Sequence, residues 1–109
     1  MAGFFDLKAA RPDAPEYIEV LLKGPDGLHL ERIISHGHTT PPGQWYEQEN
    51  DEWALVLKGS ARIAFADGTE KTLNAGDSLL LPKGLRHRVS YSTSPCLWLA
   101  LHAKGLELP

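Results

Sequence analysis

Two side chains in this sequence stand where a lone pair or a charge would be held inside an apolar interior: His87 and Glu52. After the turn Pro82-Lys83-Gly84 the chain alternates, with His87, Val89 and Tyr91 on one face and Arg86, Arg88 and Ser90 on the other. Arginine is rarely buried unpaired, so the arginine face is expected to be wet and His87 to point inward. An inward imidazole offers a metal ligand, or a base that works near neutral pH. Glu52 shares its face with Ala54 and Val56, while Trp53, Leu55 and Leu57 take the other. A carboxylate in register with small apolar residues is costly unless it is paired, protonated or coordinated. The plainer alternative is a glutamate at the strand edge that reaches water. His102 is a third candidate, because it shares a face with Trp98 and Ala100. The opposite face of that segment carries Leu97, Leu99 and Leu101, so alternation alone leaves the direction of His102 open.

The elements that must position these groups are short strands broken by turn signals. Strands are expected over 17–23, 28–35, 53–57, 61–65, 70–73, 78–81, 87–91 and 97–102. Gly24-Pro25-Asp26-Gly27, Lys58-Gly59-Ser60, Asp67-Gly68 and Asn74-Ala75-Gly76-Asp77 supply the turns between them. Gly76 is placed to take a positive φ, and Pro82 with Gly84 closes the turn before His87. Thr40-Pro41-Pro42-Gly43 is an extended kink, since two prolines remove two donors from any ladder. Strands at this spacing, with no helical period, predict an all-β sandwich or barrel. Residues 1–27, an N-terminal arm and the first strand, are expected to join the barrel of residues 28–109 in one domain. Phe4, Phe5 and Leu7 give the arm apolar surface to bury against the body or a partner chain.

At 109 residues the chain is long enough for one core and not for two. Its net charge of −3 is mild, and no concentrated basic stripe points to nucleic acid. Arg86, Arg88 and Lys83 read as a solvated rim. Cys96 is the one cysteine, which excludes an intrachain disulfide and a thiolate metal cluster. It is expected to be a small buried hydrophobe. The N-terminus lacks a basic leader region, Asp6 interrupts its apolar stretch, and no run reaches membrane-spanning length. A soluble, cytoplasmic protein without nucleic-acid or membrane partners is the expectation.

The two site segments together resemble the paired motifs of the cupin superfamily. The later one runs from Gly76 through Pro82 and Gly84 to His87, and the earlier one from Glu52 to Gly59. The local sequence from Pro41 to Trp53 and the tail Trp98-Leu99-Ala100-Leu101-His102 are also similar to a subgroup of small bacterial cupins. The resemblance implies a cupin jelly-roll β-barrel, also called a double-stranded β-helix, with a divalent metal inside and a homodimer as the common assembly. In the family two histidines separated by one residue, the glutamate and the later histidine hold the metal. By position those two histidine places fall on Tyr46 and Gln48. His36-Gly37-His38 has the right internal spacing, but Pro41-Pro42-Gly43 breaks the register that would bring it to Glu52. His36 and His38 are therefore expected on the surface.

Glu52, His87, Gln48 and His102 are the expected metal donors, and Glu52, His87 and Tyr46 the expected catalytic groups. The N/O donor set suits Mn, Fe, Ni or Zn. A metal-free polar pocket is the alternative, in which the Glu–His pair works as an acid or base. An apolar barrel with a few convergent polar groups fits a small-molecule ligand in either case. The expected function is a small-molecule enzyme of dioxygenase or isomerase type, with a non-catalytic binding or sensing module as the alternative. Trp45, in the approach to the site, is a candidate to line its mouth.

Overall fold

Eight antiparallel strands make two sheets in the computed structural model, which describes residues 3–109; residues 1 and 2 of the expected arm lie outside the described residues. The strands are β1 (Tyr17–Lys23), β2 (His29–Ser35), β3 (Asp51–Lys58), β4 (Ser60–Phe65), β5 (Glu70–Asn74), β6 (Ser78–Leu81), β7 (His87–Ser92) and β8 (Cys96–Ala103). One sheet has the order β1-β2-β8-β3-β6 and the other β5-β4-β7. A single 3-10 turn at Pro25–Gly27 is the one helical element among the described residues. The all-β jelly-roll expectation holds, and every expected strand is present with ends shifted by no more than a few residues.

Alternation along β3 does what the sequence asks of it. Ala54 and Val56 are buried and join Ala61, Ile63, Leu73, Leu81, Cys96 and Trp98 in the core between the sheets. Burying a side chain such as Val56 contributes about 1.5–3 kcal/mol relative to leaving it in water. Trp53 and Leu55, on the outer face of β3, are half-buried. Because the inner face of β3 also carries Glu52 at its beginning, the same alternation that builds the core delivers a carboxylate to one end of the barrel.

The β3–β4 hairpin closes on Gly59, whose φ of +83° lies in the left-handed region that favours glycine. A Cβ there would collide with Thr93 Oγ1 and the carbonyl of Pro95. Gly76 takes φ of +94° as expected, and its N–H donates to Val56 O at 2.7 Å, docking that turn onto β3.

Tyr91 departs from the expected face. Arg62 pairs with Tyr91 and Ile63 with Val89, so Ser90 is an extra residue and β7 carries a bulge. The bulge reverses the alternation after Val89. Ser92 is buried, while Tyr91 turns outward, 44% exposed, with the Arg62 guanidinium 5.2 Å above its ring.

The N-terminal arm lies on its own barrel. Arg32, on the outer face of β2, is 3% exposed. Its guanidinium donates to the carbonyls of Phe4 (2.7 Å) and Asp6 (2.8 Å) and to Glu19 Oε1 (2.8 Å). A buried guanidinium needs such partners, and here backbone carbonyls of the arm supply them. His36 and His38 are half-buried rather than exposed, because they fasten the segment after β2: His38 Nε2–H donates to Ala14 O at 2.7 Å and His36 Nδ1 meets Ser94 Oγ at 2.9 Å.

Candidate functional site

Three neighbouring strands bring polar side chains to the open end of the barrel. Glu52 on β3 lies directly opposite His102 on β8, and His102 lies directly opposite His29 on β2. Glu31 follows His29 on the same face of β2, since alternate residues share a face. The facing sheet contributes His87, the first residue of β7. Tyr46 pairs with it outside the named strands: Tyr46 N–H donates to His87 O at 2.8 Å and His87 N–H to Tyr46 O at 3.1 Å. Gln48 O accepts from Gly84 N–H at 2.9 Å. The kinked stretch after Pro41-Pro42 thus runs beside the edge of β7.

A cavity of about 130 Å³ opens between these elements. Its polar lining includes all five expected site residues, Tyr46, Gln48, Glu52, His87 and His102, together with Glu16 and Glu31. Ala54, Ile63, Leu81, Val89 and Trp98 belong to its apolar lining, with Ile18 and Ile33 from β1 and β2. The register settles the direction of His102: it shares the inner face with Trp98 and Ala100 and is 7% exposed. Trp45 is not among the lining residues; Arg86 and Arg88 each stand 5.8 Å from its ring centroid.

Hydrogen bonds fix the imidazole tautomers. His87 Nδ1 lies 3.0 Å from Leu85 O, and a carbonyl can only accept, so Nδ1 carries the proton. In the neutral ring Nε2 then keeps a lone pair, and it lies 4.0 Å from Glu52 Oε1. His102 Nε2 lies 3.0 Å from Glu31 Oε1 and donates to it. Burial opposes a charge on His102, yet the hydrogen bond to Glu31 and the charges of Glu52 and Glu31 outweigh it, raising its pKa above the ordinary 6.5. His29 repeats the pattern of His87: Nδ1–H donates to Gly27 O at 2.9 Å, and Nε2 faces Glu31 Oε2 at 3.6 Å. Its ring stacks on that of His102, with centroids 4.3 Å apart.

His29 and Glu31 are the site residues that the sequence expectations missed. The signal was available, because Glu31 shares a strand face with Ile33 just as Glu52 does with Ala54. Cys96 is fully buried, and burial pushes its thiol up to about 11. It packs as the small hydrophobe expected of it.

The metal positions of the family do not carry the family's donors. One imidazole, His87, stands where three would, and its carboxylate partner is beyond hydrogen-bond reach. Among the described residues, the group whose donor atoms all lie within 4.8 Å of one another is His29, Glu31 and His102.

The chain is a small jelly-roll β-barrel whose cavity is lined by carboxylates and imidazoles beside apolar side chains. The chain belongs to the Cupin domain family (Cupin_2), which matches residues 31–102. It is similar to a Ralstonia eutropha protein of known structure, described as a candidate mannose-6-phosphate isomerase. The two share 38% identity and a TM-score of 0.84, with 96% of this chain and 98% of that one covered. It is 32% identical over 73 residues to the HTH-type transcriptional regulator AlkR of Acinetobacter baylyi, a match covering 56% of this chain and 24% of the regulator. It is 44% identical over 45 residues to the uncharacterized protein YdbB of Bacillus subtilis, covering 40% of each. The chain therefore matches less than half the length of these two curated relatives.

Proposed function

We propose that this chain is an isomerase-type enzyme that moves a proton within a small, uncharged hydroxy-carbonyl compound held at the open end of the barrel. The observation that carries this is the convergence of Glu52, His87 and His102 on one cavity whose remaining walls are largely apolar. His87 Nε2, with its lone pair free, takes a proton from the carbon beside the carbonyl. The C–H electron pair then forms a carbon–carbon double bond, and the carbonyl oxygen takes a proton from the Tyr46 hydroxyl. Return of the proton from His87 to the former carbonyl carbon, while the adjacent hydroxyl becomes the new carbonyl and gives its proton back to the Tyr46 oxygen, completes the shift. Glu52 stabilises the charged imidazole, Gln48 orients the ligand through its amide, and His102 with Glu31 sets the polarity of the far wall. General acid–base groups of this kind contribute about 10²–10⁴-fold each.

Substrate size and charge follow from the lining. A cavity of about 130 Å³ is smaller than the roughly 300–1,000 Å³ of drug-sized pockets. Among the described residues it presents three carboxylates, Glu16, Glu31 and Glu52, and no lysine or arginine. A phosphorylated sugar would meet three carboxylates with no lysine or arginine to pair its phosphate, so the phosphate named for the Ralstonia relative is not carried over to this chain.

Solvent-deuterium exchange tests the assignment. Unphosphorylated and phosphorylated aldoses and ketoses are incubated in D₂O with the protein, and label entering the carbon beside the carbonyl is followed by NMR. Wash-in is expected for an unphosphorylated compound, with a loss of about 10²–10⁴-fold in His87→Gln and Glu52→Gln. Wash-in that both variants retain, or that favours phosphorylated compounds, would sink the proposal. The similarity to AlkR favours a second reading, a sensing barrel that binds the same class of molecule without turnover. Saturable ligand binding with no label exchange would select it.

A further inference from the structure

At the acidic end His102 and Glu31 meet a third group, His29, that the proton-transfer reading does not use. His29 and His102 lie opposite each other on β2 and β8, with their rings 9° from parallel. Both direct Nε2 at the single carboxylate of Glu31, His102 at 3.0 Å from Oε1 and His29 at 3.6 Å from Oε2. The His29 contact is not a hydrogen bond. Its Nδ1–H is committed to Gly27 O, so a neutral ring presents a lone pair to a carboxylate oxygen. Two acceptors so opposed repel each other unless a cation, or a second proton on the ring, stands between them.

Distances, exposure and charge all suit a metal ion there. Bonds of about 2.0–2.2 Å from an ion to N and O place two of its ligands roughly 3–4 Å apart. The three donor atoms lie within 4.8 Å of one another, so small side-chain rotations would close them on one ion. The side chain of His29 is 33% exposed, which gives an ion a path in, while Glu31 and His102 are shielded. The Nδ1–H of His29 on a backbone carbonyl is the outer support that orients a ligating imidazole. Glu52, opposite His102, and Glu16 in the same lining add negative charge. His87 and Glu52 oppose a lone pair to a carboxylate in the same way, but at 4.0 Å and without a third ligand of this kind drawn in beside them.

We propose that His29, Glu31 and His102 bind one divalent transition-metal ion, on β2 and β8 rather than on the positions the cupin family uses, the ion displacing the Nε2 proton that His102 otherwise donates to Glu31. Two imidazoles and one carboxylate are the donor set of sites that keep open coordination positions, and they select Mn, Fe, Co, Ni or Zn over the oxygen-seeking Ca and Mg. Metal binding here goes beyond the proton-transfer proposal and can fail or succeed independently of it, because it is read without substrate.

The test is a titration of chelator-stripped, untagged protein with Co²⁺ alone, followed by visible absorption and calorimetry. One ion per chain is expected. His29→Ala and Glu31→Gln should each weaken binding at least about tenfold, whereas His87→Gln should leave it within about twofold. Thermal melts identify variants that have lost the fold, and the half-exposed His29 can also be changed to Asn as a second variant. With Zn²⁺, NMR should show ring resonances of His29 and His102 moving in step with binding. Absence of binding by the wild type to Co²⁺, Zn²⁺ and Mn²⁺ would overturn the proposal. So would binding that survives His29→Ala but not His87→Gln, or ring shifts confined to His36 and His38.

Discussion

Glu52 and His102 face each other across adjacent strands, and the charge of Glu52 helps to raise the pKa of His102. The imidazole is also held by Glu31, so one ring lies between two carboxylates at the polar end of an apolar barrel. A double-mutant cycle separates the two partners. The Glu31→Gln/His102→Gln cycle, across a 3.0 Å hydrogen bond to a charged group, is expected to give a coupling of about 1.5–3 kcal/mol. The Glu52→Gln/His102→Gln cycle, with no hydrogen bond, should fall nearer the lower end of the roughly 0.5–3 kcal/mol seen for residues in contact. Urea denaturation of the metal-free protein measures both. Equal couplings would mean that the hydrogen bond adds nothing to the field of the two charges.

Gly59 should be much less replaceable than Gly76. Both have positive φ, which costs an alanine about 1–2 kcal/mol. At Gly76 nothing lies within 4 Å of the added Cβ, whereas at Gly59 the Cβ meets Thr93 Oγ1 and Pro95 O. Gly76→Ala is therefore expected to cost the backbone term alone, and Gly59→Ala a further loss as Thr93 is displaced from Ser60 N–H and Pro95 O. Chemical denaturation of the two variants checks this, and equal losses would refute the packing argument.

Those glycines also show what the sequence made legible. Turn signals and period-two alternation placed eight strands, because each is a local property of the backbone and its side chains. Alternation carried Glu52 and His87 to the interior for the same reason. It failed at Tyr91, where the Ser90 bulge reverses the face through pairing with β4 that no local pattern announces. It could not place His102 because both faces of β8 are apolar, one turned to the core and the other to the outside of a five-stranded sheet. His29 and Glu31 went unnoticed because their meaning depends on β8 lying beside β2, a contact between residues some seventy positions apart.

Asp51 gives the acid limb of stability a specific contributor. Its carboxylate accepts from Lys83 N–H (2.8 Å) and Leu106 N–H (2.9 Å), and these bonds hold its pKa below 3.8. A group whose pKa is lowered on folding adds stability that is present above its unfolded pKa and is lost as pH falls through the folded one. Asp51→Asn should therefore lower the thermal midpoint near neutral pH, and the gap from wild type should close as pH drops below 3.8. A gap that stays constant down to the acid transition would show that the charge on Asp51 does not matter.

Cys96 is expected to be silent toward thiol reagents in the folded protein. The side chain is fully buried in the core between the sheets, and burial raises its pKa to about 11, although Thr93 partly offsets the shift by hydrogen bonding. The thiolate is the reactive form, so at pH 8 only about one thiol in a thousand would be ionised even if reagent could enter. Reaction with an aromatic disulfide at that pH should be negligible under native conditions and complete within minutes in denaturant. The native rate should then track global unfolding across a urea series, since opening of the core is what exposes the sulfur. A rate that is fast in the absence of urea and independent of it would place Cys96 at a locally opening surface, and would contradict its position in the core.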